Sequence, residues 1–102
     1  DGSTVKTASS ANDSVTAGQW HFVEAYYDES GDMVCAVDLA DGTGTSTSGQ
    51  GDCSHTNELV IGQRHDGLVP FKGDIGEIRI YNRVLSTAER TYIHNLTKGR
   101  YL

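Results

Sequence analysis

The most informative part of the sequence is Gly73-Asp74-Ile75-Gly76-Glu77-Ile78-Arg79-Ile80-Tyr81-Asn82-Arg83-Val84-Leu85-Ser86. Its central part alternates with the period of two that is typical of a β-strand. We therefore expect a strand over residues 75–81, with Ile78 and Ile80 on one face and Ile75 and Tyr81 on the other.

The same stretch runs into a predicted helix. Ser86-Thr87-Ala88-Glu89 fits the capping box, in which the serine accepts the third amide and the glutamate reaches back to the serine amide. Gly99 is the predicted stop. An apolar stripe at helical spacing is expected to cover a sheet, with a partner-binding face as the alternative, and consists of Ala88, Tyr92, Ile93 and Leu96.

Further strands are predicted upstream. Residues 20–27 are rich in aromatic and β-branched residues and are apolar on both faces, which favours an inner strand partly covered on each side. One face holds Trp20, Phe22, Glu24 and Tyr26, and the other holds His21, Val23, Ala25 and Tyr27. A turn cluster then predicts a hairpin with an antiparallel strand over 33–39. Weaker candidates are a strand at 4–8, an edge strand or loop at 45–48, and a short core strand at 59–61.

Composition bounds the class of protein. The chain has 102 residues, enough for one domain spanning 1–102. Twelve Gly and one Pro, with many Thr, Ser and Asp, favour an all-β domain rich in turns. The formal charge of −6 makes nucleic acid a poor partner, because phosphate contacts need clustered Lys and Arg. No apolar run reaches the ~18 residues that membrane insertion would require.

Cys35 and Cys53 are the two cysteines of the chain. They would meet if the strand that holds Cys35 lay beside the segment leading into Leu59. A disulfide would close a loop of ~19 residues and contribute about 3 kcal/mol, mainly by restricting the unfolded chain. We predict this disulfide because an extracellular β-module is the best interpretation of the sequence; two reduced thiols are the alternative.

The order of these motifs resembles the laminin-G-like and concanavalin-A-like lectin/glucanase jelly rolls. Such domains carry a Trp-His strand, an aspartate-bearing turn, an Ile-Gly strand end and a closing Ile-Tyr-Asn-Arg run before a short helix. The positions that match are Gly18, Trp20, His21, Val23, Tyr27, Asp28, Ile61, Gly62, 71–86 and Glu89. The resemblance implies an all-β, antiparallel jelly-roll β-sandwich with one short C-terminal helix.

The resemblance covers the C-terminal portion of such a domain. These domains run to ~150–200 residues, a length at which a two-layer sandwich buries both inner faces. The strands that normally precede the Trp-His strand are absent from the sequence. Three explanations stay open: another chain or copy completes the sandwich, the chain is a cleaved C-terminal portion, or the sheet is a minimal version. The segment 37–42 is also longer than the usual Val-Asp-Gly, so the register near Asp38 and Asp41 is open.

Candidate ligand-binding residues lie in the loops. In members that bind calcium, a ligand commonly precedes the Ile-Gly strand, which implies Asp52 first and Asn57 second as calcium ligands. Both are also ordinary turn formers. In the loop 63–73, His65 beside Asp66 is the histidine best placed for ligand binding.

Catalysis is not expected from this chain. Glycosidases of this fold place alternate carboxylates on one strand face, whereas Asp74 and Glu77 are three apart and would point to opposite faces of a strand. No Gly-x-Ser-x-Gly elbow supports a hydrolytic triad.

The resemblance thus implies a non-catalytic, extracellular or surface-associated recognition or adhesion module that binds a glycan or an extracellular protein. One alternative is a structural assembly subunit in which the jelly roll makes subunit contacts, as a homo-oligomer or with another chain. A second alternative is the C-terminal portion of a polysaccharide-degrading enzyme whose catalytic residues lie upstream.

Overall fold

The computed structural model describes residues 8–28, 31–48, 60–63 and 67–101. These residues form an antiparallel sheet and one C-terminal helix. The elements are β1 (Val23–Tyr27), β2 (Asp32–Val37), β3 (Ala40–Asp41), β4 (Thr45–Ser46) and α1 (Thr87–Thr97), followed by a 3₁₀ turn at Lys98–Arg100. In the part of the chain that is described, no helix is long and apolar enough to cross a membrane.

Strand β2 is the centre of the sheet. It pairs antiparallel with β1 in a register that runs from Val23 opposite Val37 to Tyr27 opposite Met33, which confirms the predicted hairpin. Its other edge pairs with β3 and, further along, with β4. Among the described strands β4 pairs with β2 alone, so the prediction of an edge strand near residue 45 is confirmed for Thr45–Ser46.

Strand β1 alternates as predicted but is not an inner strand. Its neighbour on one side is β2, and no described strand pairs with its other edge. Phe22, at its start, and Glu24 and Tyr26 within it face the helix, through contacts with His94 and Arg90. On the opposite face the Val23 side chain is 60% exposed. The sequence predicted partial cover on both faces, and on this second face His21 and Tyr27 are half-buried whereas Val23 and Ala25 are exposed.

The turn between β2 and β3 has an unusual backbone. Asp38 and Leu39 both have positive φ, 50° and 69°, and form the two-residue loop of a tight hairpin. Such a loop matches the twist of the strands but normally uses Gly or Asn, because a Cβ is crowded in the left-handed region. Asp38 fixes the turn, since its amide donates to the Phe22 carbonyl at 2.7 Å and its Oδ1 accepts the Phe22 amide at 2.9 Å.

The buried apolar core of the described residues is small. It consists of Val34, Ala36 and Val37, all on β2. Thr47 is also buried, with its hydroxyl donating to the Asp28 and Gly31 carbonyls at 2.6 and 2.9 Å. By contrast, fourteen large apolar side chains are exposed. More large apolar side chains are therefore exposed than are buried among the described residues.

The predicted closing strand at 75–81 does not pair with any described residue. Ile78 and Ile80 are 51% and 70% exposed. The prediction was wrong for the described structure because alternation makes a segment compatible with a sheet, while a strand also needs a hydrogen-bonding neighbour. The same correction holds for Val60 and Ile61, which are not in a strand; Leu59 lies outside the described residues.

A tyrosine near the end of the chain fixes the segment 75–81. The Tyr101 hydroxyl accepts the Glu77 amide at 2.9 Å, and the ring of Tyr101 lies 4.7 Å from that of Trp20. Tyr101 also covers Gly76 so closely that a Cβ there would lie 2.6 Å from its ring. Gly76 is therefore required for this approach.

Helix α1 begins as predicted. The Ser86 Oγ accepts the Glu89 amide at 3.2 Å, and Glu89 accepts the Ser86 amide at 2.9 Å, so the capping box is confirmed. Arg83 adds an ion pair to the Glu89 carboxylate. The α-helix ends at Thr97, and Gly99 lies in the 3₁₀ turn that follows.

The predicted apolar face of the helix is not the face that packs. Tyr92 and Leu96 are 66% and 52% exposed. The inward face instead holds Arg90 and Thr97, which are buried, with His94 against the sheet. Of the other predicted members, Ile93 is half-buried beside these residues and Ala88 is exposed. The prediction followed hydrophobicity, but the sheet surface opposite the helix carries Glu24, which an arginine pairs with and an apolar side chain would not.

The predicted disulfide stays a prediction. Cys35 lies half-buried on β2, opposite Ala25. Cys53 lies outside the described residues.

The positive φ of Leu39 leads to a testable prediction about the stability of two variants. Replacement by Gly and by Ala both remove the side chain, but only Ala retains a Cβ at φ 69°. We expect Leu39→Gly to be more stable than Leu39→Ala by about 1 kcal/mol, the reverse of the usual order in regular structure. Urea unfolding followed by Trp20 fluorescence measures both variants, and an Ala variant at least as stable as the Gly variant would contradict the turn geometry.

The capping box makes a prediction about pH. Hydrogen bonds from Arg83 and from Ser86 lower the pKa of Glu89 from 4.5 to about 2. A lowered pKa means that the ionised side chain stabilises the folded helix fully above pH 4.5 and that this contribution is lost as the pH falls toward about 2. Far-UV circular dichroism should show wild type losing stability relative to Glu89→Gln over that interval. A difference between the two proteins that stays constant with pH would contradict the prediction.

Candidate functional site

An arginine on the helix joins three elements. Arg90 donates through Nε to Glu24 of β1 at 3.0 Å, and its Nη2 contacts Glu24 at 2.6 Å and Asp41 of β3 at 2.7 Å. The guanidinium carbon also lies 5.2 Å from the ring centre of Tyr26, whose hydroxyl donates to Asp41 at 3.2 Å. The Arg90 side chain is 9% exposed and that of Glu24 is 16% exposed. The charge is therefore nearly buried and fully paired.

The charges of this cluster support one another. The hydrogen bond from Arg90 lowers the pKa of Asp41, and the bond to Glu24 raises the pKa of Arg90 against the effect of burial. Burial, with the hydrogen bond to Asp41, raises the pKa of Tyr26. The pKa shifts of Asp41, Arg90 and Tyr26 each favour the form that the side chain already has near neutral pH, which fits a cluster that attaches the helix to the sheet.

A second polar cluster lies at the start of β1. His21 Nδ1 is 2.7 Å from Asp38 Oδ2, and His21 Nε2 accepts the Thr16 amide at 3.0 Å. Burial works to raise the pKa of Asp38, but the hydrogen bonds from the Phe22 amide and from His21 outweigh it and lower that pKa. This cluster connects the loop before β1 to the turn after β2.

Between these clusters lies a cleft of about 1010 Å³. It is lined by β1 with the loop that precedes it, by the segment 74–85, and by side chains of α1 together with Tyr101. The exposed apolar side chains on its walls are Val15, Trp20, Val23, Ile61, Phe71, Ile75, Ile78, Ile80, Tyr81 and Val84. This lining is here called the cleft.

The charges that line the cleft cancel. The lining contains four acidic and four basic residues, whereas the whole chain has a formal net charge of −6. The acidic lining residues are Glu24, Asp38, Asp74 and Glu77, and the basic ones are Arg79, Arg83, Arg90 and Lys98. Among the described residues, the acidic side chains in excess of basic ones therefore lie outside the cleft lining.

Glu77 is held by two arginines. Arg79 contacts its Oε1 at 2.6 Å and Arg100 its Oε2 at 3.0 Å. Asp74 also lines the cleft, although strand alternation predicted opposite faces for Asp74 and Glu77. That prediction assumed a strand, which the described segment is not.

The residues singled out from the sequence as ligands are not described. Asp52, Asn57, His65 and Asp66 all lie outside the described residues, so the calcium ligands and the loop candidates stay predictions. Among the residues that are described, no group of three or more His, Cys, Asp or Glu side chains is arranged to hold a metal ion.

Three residues that organise the site were not found from the sequence. Arg90 and Tyr101 join segments far apart in the chain, and no local pattern marks them. Asp38 had a signal, since an acidic residue between two hydrophobic runs indicates a turn, but its bond to His21 depends on the pairing of β1 with β2.

Comparison with known families agrees with this geometry. A family model described as the concanavalin A-like lectin/glucanases superfamily matches residues 1–89. The chain belongs to this superfamily. No curated protein and no solved structure matched the chain.

The antiparallel sheet and C-terminal helix are compatible with a concanavalin A-like β-sandwich. Membership indicates a lectin-like or binding module. The residues of this concanavalin A-like chain that match the family model include the capping box and the whole segment 74–85, which lines the cleft.

The Arg90 cluster makes a prediction about stability. Removing one partner of a buried ion pair leaves the other charge unpaired, so Arg90→Ala should destabilise the chain by about 3 kcal/mol. Arg83→Ala is the matched control, because Arg83 pairs with Glu89 at an exposed position, and it should cost less than about 1 kcal/mol. Urea unfolding measures both, and equal effects would show that the burial of Arg90 is not what stabilises the helix.

Proposed function

We propose that the chain is a non-catalytic recognition module, extracellular or surface-associated, whose cleft binds an extended segment of a partner protein. The observation that carries the proposal is the exposed aliphatic lining of the cleft. Val23, Ile78 and Ile80 are each at least half exposed on its walls. Exposed apolar surface on this scale marks an interaction site.

The backbone favours an extended polypeptide as the ligand. Strand β1 lines the cleft and has no paired strand on its outer edge among the described residues. An extended peptide can add to such an edge, with main-chain hydrogen bonds giving affinity and alternate side chains giving specificity. A peptide bound there would lie beside the segment 75–81 and would extend the sheet toward a full jelly roll.

The charge of the cleft supports an occupant of low net charge. Its acidic and basic lining residues balance, and several are already paired with one another. A sulfated polysaccharide would need a surplus of Lys and Arg, which this lining lacks. A neutral glycan stays a second ligand class, supported by the superfamily and by Trp20 and Tyr81 as stacking surfaces. Calcium held by Asp52 and Asn57 also stays a proposal.

A second candidate function is a structural subunit. The observation that favours it is the same edge of β1, with which no described strand pairs, because two copies can pair edge to edge about a two-fold axis. In such a pair, Val23 would lie beside strand β1 of the second copy. It differs from the leading proposal in needing no other protein.

Selection from a display library of random linear peptides tests the leading proposal. We expect enriched peptides with alternating apolar residues, and Ile80→Arg should weaken their binding at least about tenfold, because it removes apolar contact and adds an unpaired charge. Leu96→Arg is the matched control, since Leu96 is similarly exposed but lies outside the cleft lining. Isothermal titration calorimetry measures both variants.

Other outcomes separate the alternatives. Peptide binding that survives Ile80→Arg would place the ligand elsewhere and overturn the proposal. Binding to a panel of neutral glycans without peptide binding would favour the lectin-like alternative. Self-association that rises with protein concentration in sedimentation experiments, and that Val23→Lys abolishes, would favour the structural subunit.

A further inference from the structure

The cluster around His21 has a defined hydrogen position. A backbone amide can only donate, so His21 Nε2, which lies 3.0 Å from the Thr16 nitrogen, must carry the lone pair. The hydrogen of the neutral ring is therefore on Nδ1, where it is donated to Asp38 Oδ2 at 2.7 Å. The ring is 12% exposed, so these two bonds hold it at the start of β1.

The Thr16 hydroxyl completes this arrangement. It lies 3.2 Å from Gln19 Oε1 and 3.0 Å from His21 Nε2. While the ring is neutral, the Thr16 amide occupies the Nε2 lone pair and the hydroxyl donates to Gln19. Thr16, His21 and Asp38 thus place a hydroxyl, an imidazole and a carboxylate next to one another as in a hydrolytic triad, but the histidine does not activate the hydroxyl.

Protonation of the ring reverses one of these bonds. A hydrogen on Nε2 would face the hydrogen of the Thr16 amide, and two donors cannot share a bond. The Thr16 hydroxyl can accept the new hydrogen, whereas the amide must turn away. The bond to Asp38 is kept and becomes charge-assisted. Protonation therefore changes the backbone at Thr16 and leaves the attachment of the ring to the sheet in place.

The charged groups around the ring are few in the described structure. The turn after β2 contributes Asp38, and helix α1 contributes His94, whose ring contacts Phe22 at 5.2 Å between centres and whose charge acts on Asp38. The pKa of Asp38 is below its usual value, so this carboxylate stays ionised while imidazoles titrate. His94 is the group whose titration must be told apart from that of His21.

The His21 cluster lies next to residues that line the cleft, so protonation of the ring can affect the cleft. Val15, Gln19 and Trp20 line the cleft on either side of the segment that Thr16 anchors. We propose that His21 is a pH-sensitive latch: the neutral ring holds the loop 15–20 at the rim of the cleft, and the protonated ring releases it at the Thr16 amide. This regulation goes beyond the proposed function and requires no ligand to be present.

Nuclear magnetic resonance on the full chain tests the latch. Amide and imidazole signals are followed from pH about 8 to about 5, the range in which imidazoles titrate. We expect the Thr16 amide to shift and its hydrogen exchange, corrected for intrinsic pH dependence, to lose at least about tenfold protection. Both changes should share the midpoint of the His21 ring signals.

Variants assign the effect. His94→Gln removes the other titrating ring near Asp38 and should leave the response of Thr16 unchanged, whereas His21→Asn should abolish it. Thr16→Val keeps the amide and removes the hydroxyl, so its amide should still respond. A Thr16 amide that stays constant through the titration of His21 in the wild-type chain would overturn the proposal, as would a response that disappears in His94→Gln. The wild-type titration decides the matter even if a variant does not fold.

Discussion

The guanidinium of Arg90 lies between Glu24 of β1 and Asp41 of β3, and through it the C-terminal helix is attached to the sheet. The attachment is electrostatic because the described apolar core is confined to β2 and the helix presents Tyr92 and Leu96 to solvent. A nearly buried guanidinium needs both carboxylates, since an unpaired charge at that position would be costly. The orientation of the helix follows from this requirement.

That orientation also creates the cleft. Because the helix packs on the face of β1 that carries Phe22 and Glu24, its inward side chains line the cleft, and Tyr101 beyond its end holds the segment 74–85, which also lines it. Apolar side chains in this lining lack cover within the described residues. These exposed apolar side chains are the physical property that supports a binding role for this concanavalin A-like chain.

Asp38 connects the strained turn to the rim of the cleft. The positive φ of Asp38 and Leu39 is maintained by two backbone bonds to Phe22, and the remaining carboxylate oxygen orients His21. Strain of this kind persists where surrounding contacts determine it. The turn thus supplies both the hairpin closure and the fixed tautomer on which the contact with Thr16 depends.

Features that arise within a few residues could be predicted from the sequence alone: the hairpin of β1 and β2, the capping box at Ser86 and the superfamily motif at 71–86. Local hydrogen bonds and alternation specify these without reference to the rest of the chain. Contacts between distant segments instead settle which face of the helix packs, and they leave residues 75–81 without a strand partner in the described chain. The packing of the helix depends on the Glu24 carboxylate opposite it, and the state of residues 75–81 depends on whether a strand lies beside them. Periodicity within a segment carries no information about either neighbour.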